Sequence, residues 1–381
     1  MLRCNILTIF LAFSLLAGAQ DWKVVRENPQ KAFPKTVAAG NYSGIAHLHD
    51  DIYAVVSDKS DSALYFNFRI QVNPKTGELE KVENLGFTER TDGTLNDGKP
   101  WLGQEKGFDH EAIVKVSDST LVIASEGYCC LKEYPILPIS ADAAKVGYSQ
   151  NLWESRWLSS DFYPNYNFES LAFDSIRQYL WTIPESTLRK DGQPATPQNG
   201  LANQLRLMRF DWGKMKENRN KEEYSEQVSS KKDSRYLTTY AYQMDQPSTH
   251  KKADIYVMGV SELCALPDGL LLVLEREAFI PKIKLGAFCK CKLYQINPLN
   301  SEEFALKEKF SSDTPFLKKR LLAEWKTGLS LSKRSFANYE GMCLGPKLED
   351  GSQVVILLSD SQDQYAGVLK DWFKTIVIRK E

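Results

Sequence analysis

One unit recurs along this chain, and it restricts the fold more than any other feature. It consists of a short strand opening beside an acid, a polar turn, an apolar strand, and a second acid. The sharpest copy is SELCALPDGLLLVLERE, residues 261–277. Residues 263–266 form its first strand, Pro267-Asp268-Gly269 the turn, and 270–274 the second strand. Proline presets φ for a turn and glycine accepts a positive φ, so the turn has a chemical cause. The apolar run is short and flanked by charge, which suits a buried strand better than a helix. Glu262 and Glu275 lie nearly equidistant from the turn. In an antiparallel hairpin such residues are expected to face each other, holding two carboxylates at the open end.

Four further copies share the plan. Ser43-Gly44-Ile45-Ala46 returns to Ser57-Asp58. Glu111-Ala112-Ile113-Val114 returns to Ser125-Glu126, and Glu169-Ser170-Leu171-Ala172 to Pro184-Glu185. Glu340-Gly341-Met342-Cys343 returns to Ser359-Asp360. Repetition of a strand unit is the signature of a propeller or an array. Long helical periodicity is absent, so the expected class is all-β, a β-propeller. Six blades are expected. Five come from the visible hairpins, and a sixth from the divergent stretch between Glu126 and Glu169 or between Glu185 and Glu262. Five or seven blades remain open.

The stretches between hairpins supply outer strands. LYFNFRIQV, residues 64–72, alternates apolar and polar positions as a half-buried strand does, and 79–85 follows the turn NPKTG. Trp22 to Arg26 is strand-like and could complete the last sheet, because closing a ring protects an exposed edge. Residues 88–107 read as an exposed loop. Residues 214–235 are highly charged and read as a solvated insertion, helical or disordered. The chain from 20 to 381 is expected to be a single domain.

Residues 1–19 resemble an export signal: Arg3, an apolar core over 6–16, then Ala17-Gly18-Ala19. Cleavage after Ala19 is expected, leaving a periplasmic or secreted protein. An uncleaved anchor is the alternative, although the run is short for a bilayer. With 48 Lys and Arg against 49 Asp and Glu, the net charge of -1 creates no global field for nucleic acid or anionic membrane. The expected partner is a small-molecule ester or phosphate substrate, met by a monomer. Six of the seven cysteines follow residue 19. Cys264 and Cys343 occupy inner-strand positions and read as buried thiols. A bridge between Cys129-Cys130 and Cys289-x-Cys291 is possible from sequence. A zinc site is the sharper alternative, but neither pair has the Cys-x2-Cys spacing.

If the hairpins are the inner strands of blades, their acidic ends converge on one mouth of the central channel. Asp58, Glu111, Glu126, Glu169, Glu185, Glu262, Glu275, Glu340 and Asp360 would share that region. Facing carboxylates invite hard divalent cations, Ca²⁺ first, then Mg²⁺ or Mn²⁺. The candidate metal ligands are Glu111, Glu169, Glu262, Glu340 and Asp360. The candidate catalytic residues are Glu111, Glu262, Arg276 and His110. Arg276 could clamp an anionic substrate, and His110 could move a proton near neutral pH. Each has a structural alternative. An acid at a strand end can bond a backbone N–H or a neighbouring Arg, Arg276 can neutralise Glu275 and Glu277, and His110 can be a satisfied core residue.

The phrases EAIVKV…LVIASEGY, FESLAFD…YLWTIPES, SELCALPDGLLLVLERE and NYEGMCLGPKLEDGSQVVILLSD resemble the phytase-like domain, also called the esterase-like activity of phytase family. The resemblance runs from about Gly40 to the C-terminus. It implies an exported β-propeller with phosphoesterase or esterase-like activity. Ser43 departs from the Glu of other copies, and the 214–235 insertion stands outside the shared pattern. The sequence has no Gly-x-Ser-x-Gly, His-Glu-x-x-His or Gly-x4-Gly-Lys-Ser/Thr, nor an Arg-His-Gly or His-Cys-x5-Arg phosphatase signature. Metal-assisted water is the hydrolytic mechanism that remains. The competing class is a non-catalytic binding propeller with structural acids or a structural cation.

Overall fold

Each hairpin of the repeat continues outward into two further strands, because its returning strand is apolar on both faces and needs cover. The computed structural model describes residues 21–60, 63–89, 95–96, 109–126, 130–136, 150–154, 160–219, 236–331, 334–362 and 369–381. The export signal, most of the 88–107 loop, Cys129 and residues 220–235 lie outside the described residues. Blade 1 holds Tyr42–His49, Ile52–Ser57, Ala63–Val72 and Leu79–Glu89, with Leu95–Asn96 at its edge. Blade 2 holds His110–Ser117, Thr120–Ser125, Cys130–Pro135 and Gln150–Glu154. Blade 3 holds Ala172–Asp174, Tyr179–Thr182, Gln204–Asp211 and Leu237–Gln243. Blade 4 holds Ile255–Ala265, Leu271–Ile280, Phe288–Ile296 and Lys319–Gly328. Blade 5 holds Asn338–Lys347, Gln353–Asp360 and Trp372–Lys380, and takes Trp22–Glu27 as its outer strand.

The inner strands of blades 1 to 5 touch in sequence, and the fifth touches the first, so the ring closes after five. This corrects the expectation of six. The stretches that were to supply a sixth blade provide the outer strands of blades 2 and 3 instead. The expected N-terminal closure does occur: Trp22 pairs with Lys380 and Glu27 with Ile376. The Trp22 indole then donates to Asp268 of blade 4 at 2.8 Å, tying the closing strand to the next blade. The helix Trp212–Arg219 opens the charged insertion.

Apolar layers between blades form the core. Tyr42, Val55, Phe66 and Phe68 of blade 1 pack against Val354, Ile356 and Phe373 of blade 5. Each such side chain, fully buried, contributes on the order of 1.5–3 kcal/mol. Cys264, Cys289, Cys291 and Cys343 are buried free thiols. The bridge considered for Cys289 or Cys291 is therefore not formed. The zinc alternative also needs Cys129 and the Cys130 side chain, which lie outside the described residues.

Candidate functional site

The inner hairpins set the site through a shared irregularity. Each inner strand carries one extra residue near its start, relative to the returning strand. It is Ser43 in blade 1, Glu111 in blade 2, Ser261 in blade 4 and Glu340 in blade 5. In blade 3 the register slips by one between Phe168–Pro184 and Ala172–Trp181, which puts Glu169 at the same point. A bulge bends the strand and re-aims a side chain, and it favours rims and sites. Across from the residue before each bulge stand Ser57, Ser125, Pro184, Glu275 and Ser359. The next residues are Asp58, Glu126, Glu185, Arg276 and Asp360. Blade 4 thus places an arginine where the other four place an acid.

This register corrects the reading of residues 261–277. Glu262 and Glu275 do not face each other: the turn pairs Ala265 with Leu271 and so Glu262 with Leu274, and the bulge at Ser261 then sets Val260 across from Glu275. A one-residue slip turns every side chain to the other face. Glu262 occupies the position of Gly44, Ala112, Ser170 and Gly341. It is 1% exposed. Its Oε1 accepts from the backbone N–H groups of Leu171 and Leu263, each at 3.0 Å, with a further N–H from Met342. It stitches blades 3, 4 and 5 and lies off the cavity. Glu275 turns outward, accepting from the Tyr242 hydroxyl at 2.6 Å and the Lys319 ammonium at 2.7 Å. Gly269 keeps the expected turn, with φ of 88°.

A cavity of about 640 Å³ opens at the mouth, lined by Asp58, Glu111, Glu126, Glu169, Glu185 and Glu340, with Arg276 among them. That volume is typical of small-molecule sites. Of the expected ligands, the structure brings Glu111, Glu169 and Glu340 together here. Asp360 sits just behind, its carboxylate accepting from the Gln362 backbone N–H at 2.8 Å. His110 is 1% exposed and points into the sheet, where its Nδ1 meets the Ser125 hydroxyl at 2.7 Å. It is outside the cavity lining, because adjacent strand residues face opposite ways.

The ring divides by charge. Arg276 bridges Glu185 and Glu340, and donates to the Asn338 side chain at 3.1 Å. Its expected pairing with Glu275 and Glu277 is not the one formed. Glycine at 259 makes this approach possible, since a Cβ there would lie 2.5 Å from the Glu185 carbonyl oxygen. Lys59 pairs with Asp58. Between blades 2 and 3 the pattern changes. Glu111, Glu126 and Glu169 bring one carboxylate oxygen each within 4.8 Å of one another, and Asp58, Asp109 and Glu111 form a second such group. Glu111 and Glu169 are only 7% and 8% exposed. Among the described residues neither carboxylate receives a hydrogen bond or an ion pair.

The protonation states follow. Burial pushes Glu111 and Glu169 well above the usual carboxylate range, and the neighbouring acids add to it. Burial, with Asp109 beside it, lifts Glu126 to about 7. Burial lifts Asp58 to about 7 even with Lys59 attached. Glu185 and Glu340 are also raised by burial, but the Arg276 guanidinium holds them back.

Asp109, Asn338 and Lys59 were missed from sequence. A signal for the first two existed. Two residues before each bulge stand Asn41, Asp109, Asn167, Gly259 and Asn338, in the frames NYSG, DHEA, NFES, GVSE and NYEG. Aligning these frames also places Ser261, not Glu262, opposite Glu340.

Glu111 and Glu169, without donors among the described residues, and the hard carboxylate oxygens of Glu126, Asp58 and Asp109 beside them are a donor set that fits a divalent cation of the Ca²⁺ type. No curated protein matches the chain. Among solved structures, the luciferin-regenerating enzyme shares 10% identity at a TM-score of 0.39, over 91% of this chain and 94% of its own. Virginiamycin B lyase from Staphylococcus aureus shares 9% at a TM-score of 0.30, over 93% and 99%. At such scores the likeness carries no inference about activity. Residues 37–362 match the phytase-like family described as esterase-like activity of phytase, and the chain belongs to that family.

Proposed function

We propose that this protein is a cation-dependent ester hydrolase, acting on phosphoric or carboxylic esters from the acidic cavity at the propeller mouth. The observation that carries the reading is the pair Glu111 and Glu169, buried, lining the cavity and without a donor among the described residues. Two carboxylates are not left so in a stable core unless they are protonated or meet a cation. Glu111, Glu126 and Glu169 would hold the ion, and Asp58 and Asp109 would extend the site through Glu111. A bound divalent cation polarises a phosphoryl or acyl oxygen and lowers the pKa of bound water. Asp58, near 7 without the ion, is suited to exchange protons with substrate or water at neutral pH. Arg276 pairs with both Glu185 and Glu340, so that corner carries less negative charge and is the poorer site for the ion. Glu262 and His110 have no place in this chemistry. The leader at 1–19 puts the activity outside the cytoplasm in this reading, which N-terminal sequencing of the exported protein checks.

The test is turnover of p-nitrophenyl phosphate and p-nitrophenyl acetate with Ca²⁺, Mg²⁺ or Mn²⁺, and with EDTA. Loss of turnover in EDTA, in Glu111→Gln and in Glu169→Gln, but not in Glu262→Gln, is the expected result. A folded protein that gains thermal stability from a cation but turns over neither ester with any of them would refute the hydrolase and leave a binding propeller.

A further inference from the structure

The cavity has a second half that its acids do not explain. Blade 4 has the longest inner hairpin: Ile255–Ala265 and Leu271–Ile280, against Ala172–Asp174 and Tyr179–Thr182 in blade 3. It continues past the ring of charges. Gly259 opposes Arg276 at the level of the ring, and the next pairs on that face are Val257 with Ala278, then Ile255 with Ile280. Side chains two apart share a face. The face that carries Arg276 into the cavity therefore rises above it as an apolar ladder, roughly 13 Å long at ~3.3 Å per residue. All four ladder residues line the cavity, and Leu329 and Phe336 flank them. The alternate face pairs Tyr256 with Phe279 and Met258 with Glu277, away from the cavity.

The charge of the lining points the same way. Six carboxylates line the cavity against two cationic side chains, Arg276 and Lys284. Arg276 is engaged by Glu185 and Glu340, and Lys284 by Asp254 at 3.2 Å. A densely phosphorylated ligand would meet repulsion from most of the wall. A ligand with one ester group beside a hydrocarbon body would meet the cation site at one end and the ladder at the other.

We propose that the substrate carries an alkyl or aryl body of several carbons next to its ester, seated on the blade 4 ladder, and that polyphosphorylated compounds are rejected. This rests on the hydrolase reading for the word substrate, but not for the binding preference. The probes are methylphosphonate, octylphosphonate and inositol hexakisphosphate, titrated calorimetrically into the full chain with Ca²⁺ present. Octylphosphonate is expected to bind at least about tenfold more tightly than methylphosphonate, since the added methylenes leave water on the ladder. Val257→Ser and Ile280→Ser should reduce that ratio severalfold. Ile255→Ser, at a half-exposed position, does so without burdening the fold. Equal affinity for the two phosphonates, tightest binding of inositol hexakisphosphate, or no binding of any probe would overturn the proposal. Chain-length preference in a protein without turnover refutes the hydrolase alone. Turnover of p-nitrophenyl esters without chain-length preference refutes this inference alone.

Discussion

Two corners of one ring use the same residue type in opposite ways. Between blades 3, 4 and 5, Glu185 and Glu340 share the Arg276 guanidinium, with Asn338 also donating to Glu340. Between blades 2 and 3, Glu111, Glu126 and Glu169 crowd together, and among the described residues Glu111 and Glu169 form no ion pair. The first corner is a closed ion-pair triad, which holds blades in place. The second keeps its charge unsolved, at a cost in stability that only an external cation or bound protons offset. A propeller repeats one geometry, so blade 4's substitution of Arg276 for an acid is sufficient to make the two corners differ.

The largest effect is expected from removing the protein's own cation. Arg276→Met leaves Glu185 and Glu340 buried and unpaired, and loss of one partner of a buried pair costs about 3–5 kcal/mol. Urea unfolding in EDTA should show that loss, and Ca²⁺ should recover part of it by occupying the first corner as it does the second. If Ca²⁺ recovers nothing, the two corners differ in geometry and not only in charge.

Next is Glu111→Gln, which touches both acidic groups. It should lower turnover by roughly 100-fold, the scale seen when one group stabilising the transition state is lost. In EDTA the same variant should melt at a higher temperature than the parent, because one buried charge has been relieved, while its gain from Ca²⁺ disappears. A lower melting temperature in EDTA would mean that Glu111 is a structural acid like Glu262.

Glu262→Ala sharpens the contrast from the other side. It strands the N–H groups of Leu171 and Leu263. The expected cost is about 1–3 kcal/mol by urea midpoint, with the stabilisation by Ca²⁺ retained.

The mildest prediction concerns pH. Asp58 and Glu126 have folded pKa values near 7, above their unfolded values. For a carboxyl raised in this way, the folded state binds more protons than the unfolded one between the two values. Its contribution is complete below the unfolded pKa and is lost as pH rises through about 7. The melting temperature in EDTA should therefore fall between pH 5 and pH 8. The increment from Ca²⁺ should be larger at pH 8, where ligands need not release protons. A melting temperature in EDTA that is flat across this range would contradict the burial of these two acids.

Much of this architecture was legible in the residues. Pro267-Asp268-Gly269 and the apolar runs beside the turns disclosed the repeat, and Trp22 to Arg26 disclosed the closing strand. Glu111, Glu169 and Glu340 stood out because each opens a copy of the unit. The blade count was less legible. Outer strands such as Gln150–Glu154 and Leu237–Gln243 carry no motif, so they can be assigned to an existing blade or to an additional one.

The register of blade 4 belonged to tertiary structure. Read alone, the hairpin of 261–277 offers two acids nearly equidistant from a turn, and only alignment with the other copies marks Ser261 as the extra residue. The bulge appears when blade 3 packs alongside. Val260 then donates its N–H to the Glu185 carbonyl at 3.1 Å, and Gly259 leaves room for that contact. Strand periodicity is two, so Glu275 and Arg276 face opposite ways along the returning strand, and the extra residue at 261 sets Gly259 across from Arg276 at the cavity. Sequence by itself determined the repeat, the all-β class and the supply of carboxylates. Packing between blades decided which carboxylates face one another, which are neutralised, and which are left for a cation.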